Sequence, residues 1–241
     1  MYPAVFKNAI PLIGICPLPY LYSMKPIIIY CYDAYCGWCY GFSPVMKKIA
    51  AQYKNHFDIE VLSGGMMIGE GKMPIEKIGP YIQGAYKRVE ELTGIQFGED
   101  FLWHINNPDK SDWIMNSEKP AIALCIFKEL YPEQQIEFAA DLQFALNYEG
   151  RDLDDDEAYR HLLVKYGIDE TDFYSKLKTE AYKEKAYYEF ALCKQLQITG
   201  YPAVLLQLNE SKFYLLAKGY TDYETMDNTV QSVLKEITAH N

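Results

Sequence analysis

Three of the chain's six cysteines fall within residues 30–44, in the stretch YCYDAYCGWCYGFSP. Cys36 and Cys39 are separated only by Gly37 and Trp38. That spacing lets two sulfurs reach bonding distance without backbone strain. Three chemistries use such a pair: thiol–disulfide exchange, half of a zinc site, and a structural disulfide. Zinc needs four ligands, usually in two paired sets. Here there is no second C-x-x-C and no H-x-x-x-H, and His56, His104, His161 and His240 are dispersed. No metal is therefore expected. Disulfide scaffolds belong to small secreted chains that cannot build a core. This chain has 241 residues, 49% hydrophobic and 23% charged, which is enough for a large core without staples. Cys16, Cys31, Cys125 and Cys193 show no motif spacing. Several unpaired thiols suit a reducing, cytoplasmic compartment, where an isolated C-x-x-C is more often catalytic than structural.

Exchange chemistry needs one accessible thiol held as thiolate and a second thiol close behind it. A helix N-terminus favours the thiolate through its free N–H groups and dipole. The flanking sequence supplies that setting. Residues 26–33, PIIIYCYD, are a continuous apolar, β-branched run that reads as a buried strand. After the motif, Ser43 and Pro44 resemble an N-cap and a first helical residue, with Val45, Ile49 and Tyr53 on one face. The helix is nevertheless expected to begin near Cys36, with Pro44 producing a kink. Cys36 is then the exposed nucleophile, and Cys39, one turn in, the resolving thiol. Residues 57–65 read as a second strand.

Residues 74–197 then read as helical almost throughout: 74–94 closed by Gly94, 117–131 capped by Ser117, 132–150, 155–167 and one long helix over 169–197. The β pattern returns with a strand at 201–209, a turn, a strand at 212–220, and a last helix capped by Asp222. The order is β-α-β, a helical block, then β-β-α. Such a chain closes one sheet from its two ends, which gives an α/β, thioredoxin-like fold with a large inserted all-helical subdomain. The expected division is 24–73 and 198–241 for the thioredoxin-like domain and 74–197 for the insertion.

The segments YDAYCGWCYGFSP, LSGGMM, NSEKPAIAL, YEGRDLDD and ITGYPAV together resemble the DsbA-like branch of the thioredoxin superfamily, especially its cytoplasmic disulfide oxidoreductase/isomerase members. The resemblance runs from about Met24 to the C-terminus. It implies that Cys36 and Cys39 carry the redox cycle. It also implies that Pro202 is a cis-proline facing them, with the Tyr201 backbone available to pair with a substrate strand. Gly37 and Trp38, in the active-site turn, are the further substrate contacts expected. The Gly-Trp dipeptide lacks the histidine that helps make DsbA strongly oxidising. Potentials of such proteins span about −270 to about −120 mV, and the dipeptide does not place this chain on that scale. A neighbouring branch contains glutathione-dependent 2-hydroxychromene-2-carboxylate isomerases and kappa-class glutathione transferases. Its members typically keep a serine at the nucleophile position, so retention of both cysteines favours dithiol exchange. A third reading is a peptide-binding module using the Pro202 groove without redox chemistry.

The remaining features have plainer readings. Net charge is −10, from 33 acidic and 23 basic residues, which argues against nucleic acid or an anionic membrane as partner. The expected partners are protein or low-molecular-weight thiols and disulfides. RDLDDDEAYRHLL fails as a calcium loop, since Glu157 and Leu163 stand where Gly and Glu are required; an acidic helix N-terminus fits it better. Cys125 and Cys193 read as core thiols and Cys31 as a buried strand residue. Asp33 is a candidate proton acceptor for Cys39. Gly64-Gly65 either ends the second strand or permits close backbone passage near the site. Residues 1–23 carry four prolines and a short apolar run. Export-signal character is weak there, and Met24 reads as the true start, with 1–23 an extension or disordered arm. No run is long enough to span a membrane as a helix.

Overall fold

The computed structural model of the chain describes residues 25–239. Residues 1–23, read above as an extension or disordered arm and including Cys16, lie outside them, as do Met24 and His240. The described residues begin with β1 (Ile27–Tyr32), α1 (Gly37–Tyr53) and β2 (Asp58–Ser63). β1 and β2 are parallel, in register from Ile27↔Asp58 to Tyr32↔Ser63, so α1 is the crossover that a parallel pair requires. Then come β3 (Met73–Pro74), α2 (Ile75–Thr93), α3 (Glu99–Asn106), β4 (Ile114–Met115), α4 (Glu118–Leu130) and α5 (Gln135–Asn147). They are followed by α6 (Glu157–Tyr166), α7 (Glu170–Leu177) and α8 (Glu180–Gln195). β5 (Ala203–Gln207), β6 (Phe213–Lys218) and α9 (Tyr223–Ala239) close the chain. The main sheet has the order β2-β1-β5-β6, with β5 antiparallel to both neighbours. The fold is thioredoxin-like, with a large helical block inserted between β2 and β5.

β1 is buried on both faces because strand side chains alternate. Ile28, Tyr30 and Tyr32 join the main core with α1 and α9, while Ile29 and Cys31 join a smaller cluster with Cys193 on α8. α1 runs from Gly37, not Ser43, and holds Pro44 in its interior. Proline cannot donate to the carbonyl four residues back, which is that of Tyr40. The Ser43 hydroxyl donates to that carbonyl instead, at 2.9 Å.

Three details depart from the sequence reading. The helix expected over 169–197 is broken into α7 and α8, because Thr179 is extended (φ −90°, ψ 142°) and its hydroxyl closes on the Lys176 carbonyl at 2.8 Å. α3 was not anticipated as a separate helix. The insertion also contains a two-stranded ladder, β3 with β4, pairing Met73↔Met115 and Pro74↔Ile114. Strands of two residues carry no periodicity to read.

β2 lies at a sheet edge, and its outward backbone groups are taken up by side chains of the insertion. Gln135 accepts from Val61 N–H at 2.7 Å and donates to the Ile59 carbonyl at 2.7 Å. Lys128 donates to the Val61 carbonyl at 2.7 Å, and Glu189 accepts from Ser63 N–H at 2.8 Å. An edge satisfied in this way presents no template to another chain. Lys128 also pairs with Glu60 and with Glu189, the latter at 2.7 Å. Burial alone would lower the Lys128 pKa, but the Glu189 and Glu60 carboxylates outweigh it and hold the ammonium charged. Among the described residues no helix is long and apolar enough to cross a membrane.

Candidate active site

The chain leaves β1 at Tyr32 and turns at Asp33, whose carbonyl accepts from Cys36 N–H at 3.1 Å. Cys36 is the N-cap of α1, in extended conformation (φ −87°, ψ 107°). Its sulfur sits where a capping oxygen would, accepting from Cys39 N–H at 3.4 Å. A thiolate formed there faces the unpaired N–H groups and positive end of the helix. The sequence reading calls Cys36 exposed; it is 7% exposed, against 0% for Cys39. The cover comes from the far end of the chain, since the Cys36 thiol donates to the Tyr201 carbonyl at 3.5 Å. Burial, then the adjacent Cys36, pushes the Cys39 thiol well above its ordinary pKa. The two thiols therefore differ in accessibility and in surroundings.

The opposite wall is Tyr201-Pro202, joined by a cis peptide bond. Pro202 is buried, and its carbonyl accepts from Gly219 N–H at 2.8 Å. The Tyr201 hydroxyl donates to the Gly64 carbonyl at 2.9 Å, and the ring lies directly on Gly64. A methyl group at Gly64 would overlap that ring. Gly65 follows with φ +67°, and a Cβ there would meet Phe190 at 2.7 Å. Gly64→Ala is thus expected to displace Tyr201 and slow the reaction of the Cys36 thiol with an added disulfide at least about tenfold, since small misplacements of a reacting geometry are costly. Rates within twofold of wild type would show that the ring moves aside freely.

Gly37, Trp38 and Tyr201 are half-buried around Cys36. Trp38 lies 6.4 Å from the Tyr220 ring, and Gly37 packs against Phe97. The Asp33 carboxylate, the candidate proton acceptor for Cys39, is held by three hydrogen bonds. One carboxylate oxygen accepts from Tyr35 N–H (3.0 Å) and the Ser117 hydroxyl (2.9 Å); the other accepts from Met66 N–H (2.7 Å). Burial raises its pKa, and these hydrogen bonds oppose the rise. Asp33 ties the active-site turn to the Met66 loop and α4, a role that only the long-range contacts reveal.

Cys31, Cys36, Cys39, Cys125 and Cys193 are all free thiols. Cys31 and Cys193 lie in one cluster on the sheet face opposite α1, where the Cys193 thiol donates to the Ser63 carbonyl at 3.6 Å; the neighbouring Cys31 thiol, with burial, raises the Cys193 pKa. No sequence signal joins them, since one is on β1 and the other on α8. Cys125 donates to Glu189 at 3.4 Å. Among the described residues no group of three or more His, Cys, Asp or Glu is placed to hold a metal ion.

Residues 27–231 match the family described as the DSBA-like thioredoxin domain. No curated protein matches the chain. Among solved structures, a candidate protein disulfide isomerase from Nitrosomonas europaea superposes with a TM-score of 0.77 at 24% identity, over 88% of this chain and 98% of that one. The cytosolic disulfide reductase DsbM from Pseudomonas aeruginosa gives 0.68 at 23% identity, over 87% and 98%. A form of that protein with GSH gives 0.65 at 24% identity, over 87% and 99%. A 2-hydroxychromene-2-carboxylate isomerase gives 0.62 at 14% identity, over 89% and 99%. At these identities the likenesses speak for the fold alone.

Proposed function

Because the chain belongs to the family of DSBA-like thioredoxin domains, matched over residues 27–231, we propose that it is a thiol–disulfide oxidoreductase, with Cys36 as nucleophile and Cys39 as resolving thiol. The observation that carries the reading is the Cys36 sulfur itself. It caps α1, accepts from Cys39 N–H, and faces the Tyr201 carbonyl beside the cis-proline. Cys36 thiolate attacks a substrate disulfide, forming a mixed disulfide and releasing one thiolate. Cys39 then attacks the Cys36 sulfur, closing the Cys36–Cys39 disulfide and releasing the second thiol. Run in reverse, the same steps introduce a disulfide or allow one to isomerise.

Tyr201, Pro202, Gly37 and Trp38 form the proposed substrate contacts, with the Tyr201 backbone meeting an extended segment of the substrate. The fold shared with a cytosolic disulfide reductase supports a cytoplasmic setting. Glutathione is a reasonable low-molecular-weight partner, since the same neighbour has a form with GSH. The glutathione-dependent isomerase reading has less support, because a second thiol one residue pair away serves exchange and has no part in cofactor-assisted isomerisation.

The test is turnover of insulin disulfides with glutathione as reductant. Catalysis well above the uncatalysed rate is expected; a rate equal to background removes the reading.

A further inference from the structure

Resolution of a mixed disulfide requires Cys39 to become an anion inside the protein. Burial opposes that, and so does its raised pKa. Some group must meet the developing charge. The Asp33 backbone favours the anion by a hydrogen bond, but the Asp33 carboxylate, held by Tyr35, Met66 and Ser117, opposes it by its charge.

Tyr30 is differently placed. It lies on β1 on the face that packs against α1, in one cluster with Cys39, Phe42 and Met46. Its ring is 6.0 Å from Phe42, which follows Cys39 by three residues and so shares its helix face. Its ring is also 5.7 Å from Tyr32. Tyr30 is 2% exposed, and its hydroxyl has no full hydrogen-bond partner among the described residues. The Cys39 thiol acts on that hydroxyl both by charge and as a hydrogen-bonding neighbour, raising its pKa. A phenylalanine would fill this site without the cost of burying an unpartnered hydroxyl.

We propose that Tyr30 is a positioning residue for the resolving step, its hydroxyl donating a hydrogen bond to the Cys39 sulfur as that thiol ionises. This rests on the dithiol-exchange reading above. Burial and the adjacent cysteines push the Tyr30 hydroxyl well above its ordinary pKa, so it stays protonated and acts as donor, not base. The balance is R–S–S–Cys36 plus HS–Cys39 giving Cys36–S–S–Cys39 plus R–SH. The Cys39 proton passes to the released thiolate, or to solvent where that thiolate is a weak base. Tyr30 keeps its own proton. The groups facing Cys39 are Cys36 at the N-cap of α1, Asp33 in the preceding turn, Tyr30 and Tyr32 on β1, and Tyr201 ahead of β5. All but Tyr30 are unchanged in Tyr30→Phe, so a shift between the two proteins reports its hydroxyl alone.

The experiment follows reaction with 5,5′-dithiobis(2-nitrobenzoate) by stopped flow across pH, with Cys36→Ser defining the signal from other thiols. Attack by Cys36 releases a first equivalent of thionitrobenzoate, and resolution by Cys39 releases a second. In Tyr30→Phe the first phase is expected within twofold of wild type. The second is expected to be about tenfold slower near neutrality, its pH midpoint raised by about one unit. Thermal stability should hold or rise, since an unpartnered buried hydroxyl is removed. Tyr32→Phe, which also removes a buried unpartnered hydroxyl, should leave the second phase within twofold. A second phase unchanged in rate and midpoint in Tyr30→Phe overturns the role, as does equal slowing in Tyr32→Phe. A wild type with neither phase overturns the exchange reading instead, and this role with it.

Discussion

Cys36→Ser is expected to lower disulfide exchange by at least about a thousandfold, roughly 4 kcal/mol of barrier. The alcohol that replaces the thiol is hardly ionised at neutral pH and cannot form the mixed disulfide. Cys39→Ser should behave differently. It keeps the attacking sulfur at the α1 N-cap, so the first step survives and the mixed disulfide accumulates on Cys36. The Cys36 sulfur accepts from the backbone N–H of Cys39, which a serine retains. Intact-mass measurement after reaction with glutathione disulfide should show one glutathione on Cys39→Ser and none on Cys36→Ser. Should Cys36→Ser keep more than about a tenth of wild-type turnover, another thiol is the nucleophile. The asymmetry between the two variants is the more telling result, because loss of fold would abolish both reactions alike.

Lys128→Met is expected to cost about 3–5 kcal/mol of stability at neutral pH, the typical result of removing one partner from a buried ion pair. It leaves Glu60 and Glu189 facing each other with side chains only 22% and 7% exposed, and it unpins the Val61 carbonyl at the sheet edge. Burial already pushes the Glu60 carboxyl up despite Lys128. Without the ammonium, a folded-state carboxyl pKa lies further above its unfolded value. The sign follows: an acid whose folded pKa is raised destabilises the protein once pH passes its unfolded pKa, and fully so above the folded one. The deficit of Lys128→Met should therefore shrink as pH falls toward about 4, near the ordinary glutamate value. Urea unfolding at neutral and acidic pH measures both. A neutral-pH loss below about 1 kcal/mol would mean that water reaches the carboxylates and screens them. Combining Lys128→Met with Glu189→Gln should recover part of the loss, since one unpaired charge disappears with the second substitution.

The parts of the molecule that were legible in the sequence are those whose causes are local. The apolar run before Cys36, the C-x-x-C spacing and the return of β pattern after residue 197 each act within a few residues, and together they imply the fold class. Asp222 as a cap is of the same kind, its carboxylate accepting from Thr225 N–H at 2.9 Å. The break at Thr179 was missed for a related reason. The residues on either side keep helical composition, and one extended residue leaves no trace in a periodic pattern. The ladder of Met73 with Met115 is too short to alternate.

Within the site, residue order alone set the chemical groups: two thiols, one turn apart, at a strand-to-helix junction. Backbone capping is a short-range effect and needs nothing else from the chain. The tertiary structure decided what surrounds those thiols. Tyr201, 165 residues after Cys36, supplies the carbonyl that covers its sulfur. Glu189, 126 residues after Ser63, closes the strand edge. The Asp33 carboxylate is tied to the helical insertion because Ser117, 84 residues away, donates to it. Tyr30 reads in sequence as one apolar strand residue among several, and only the packing of β1 on α1 brings its hydroxyl to Cys39. Contacts closed over such separations depend on how layers dock, and docking is set by the volumes of many side chains at once, which no single stretch of sequence carries.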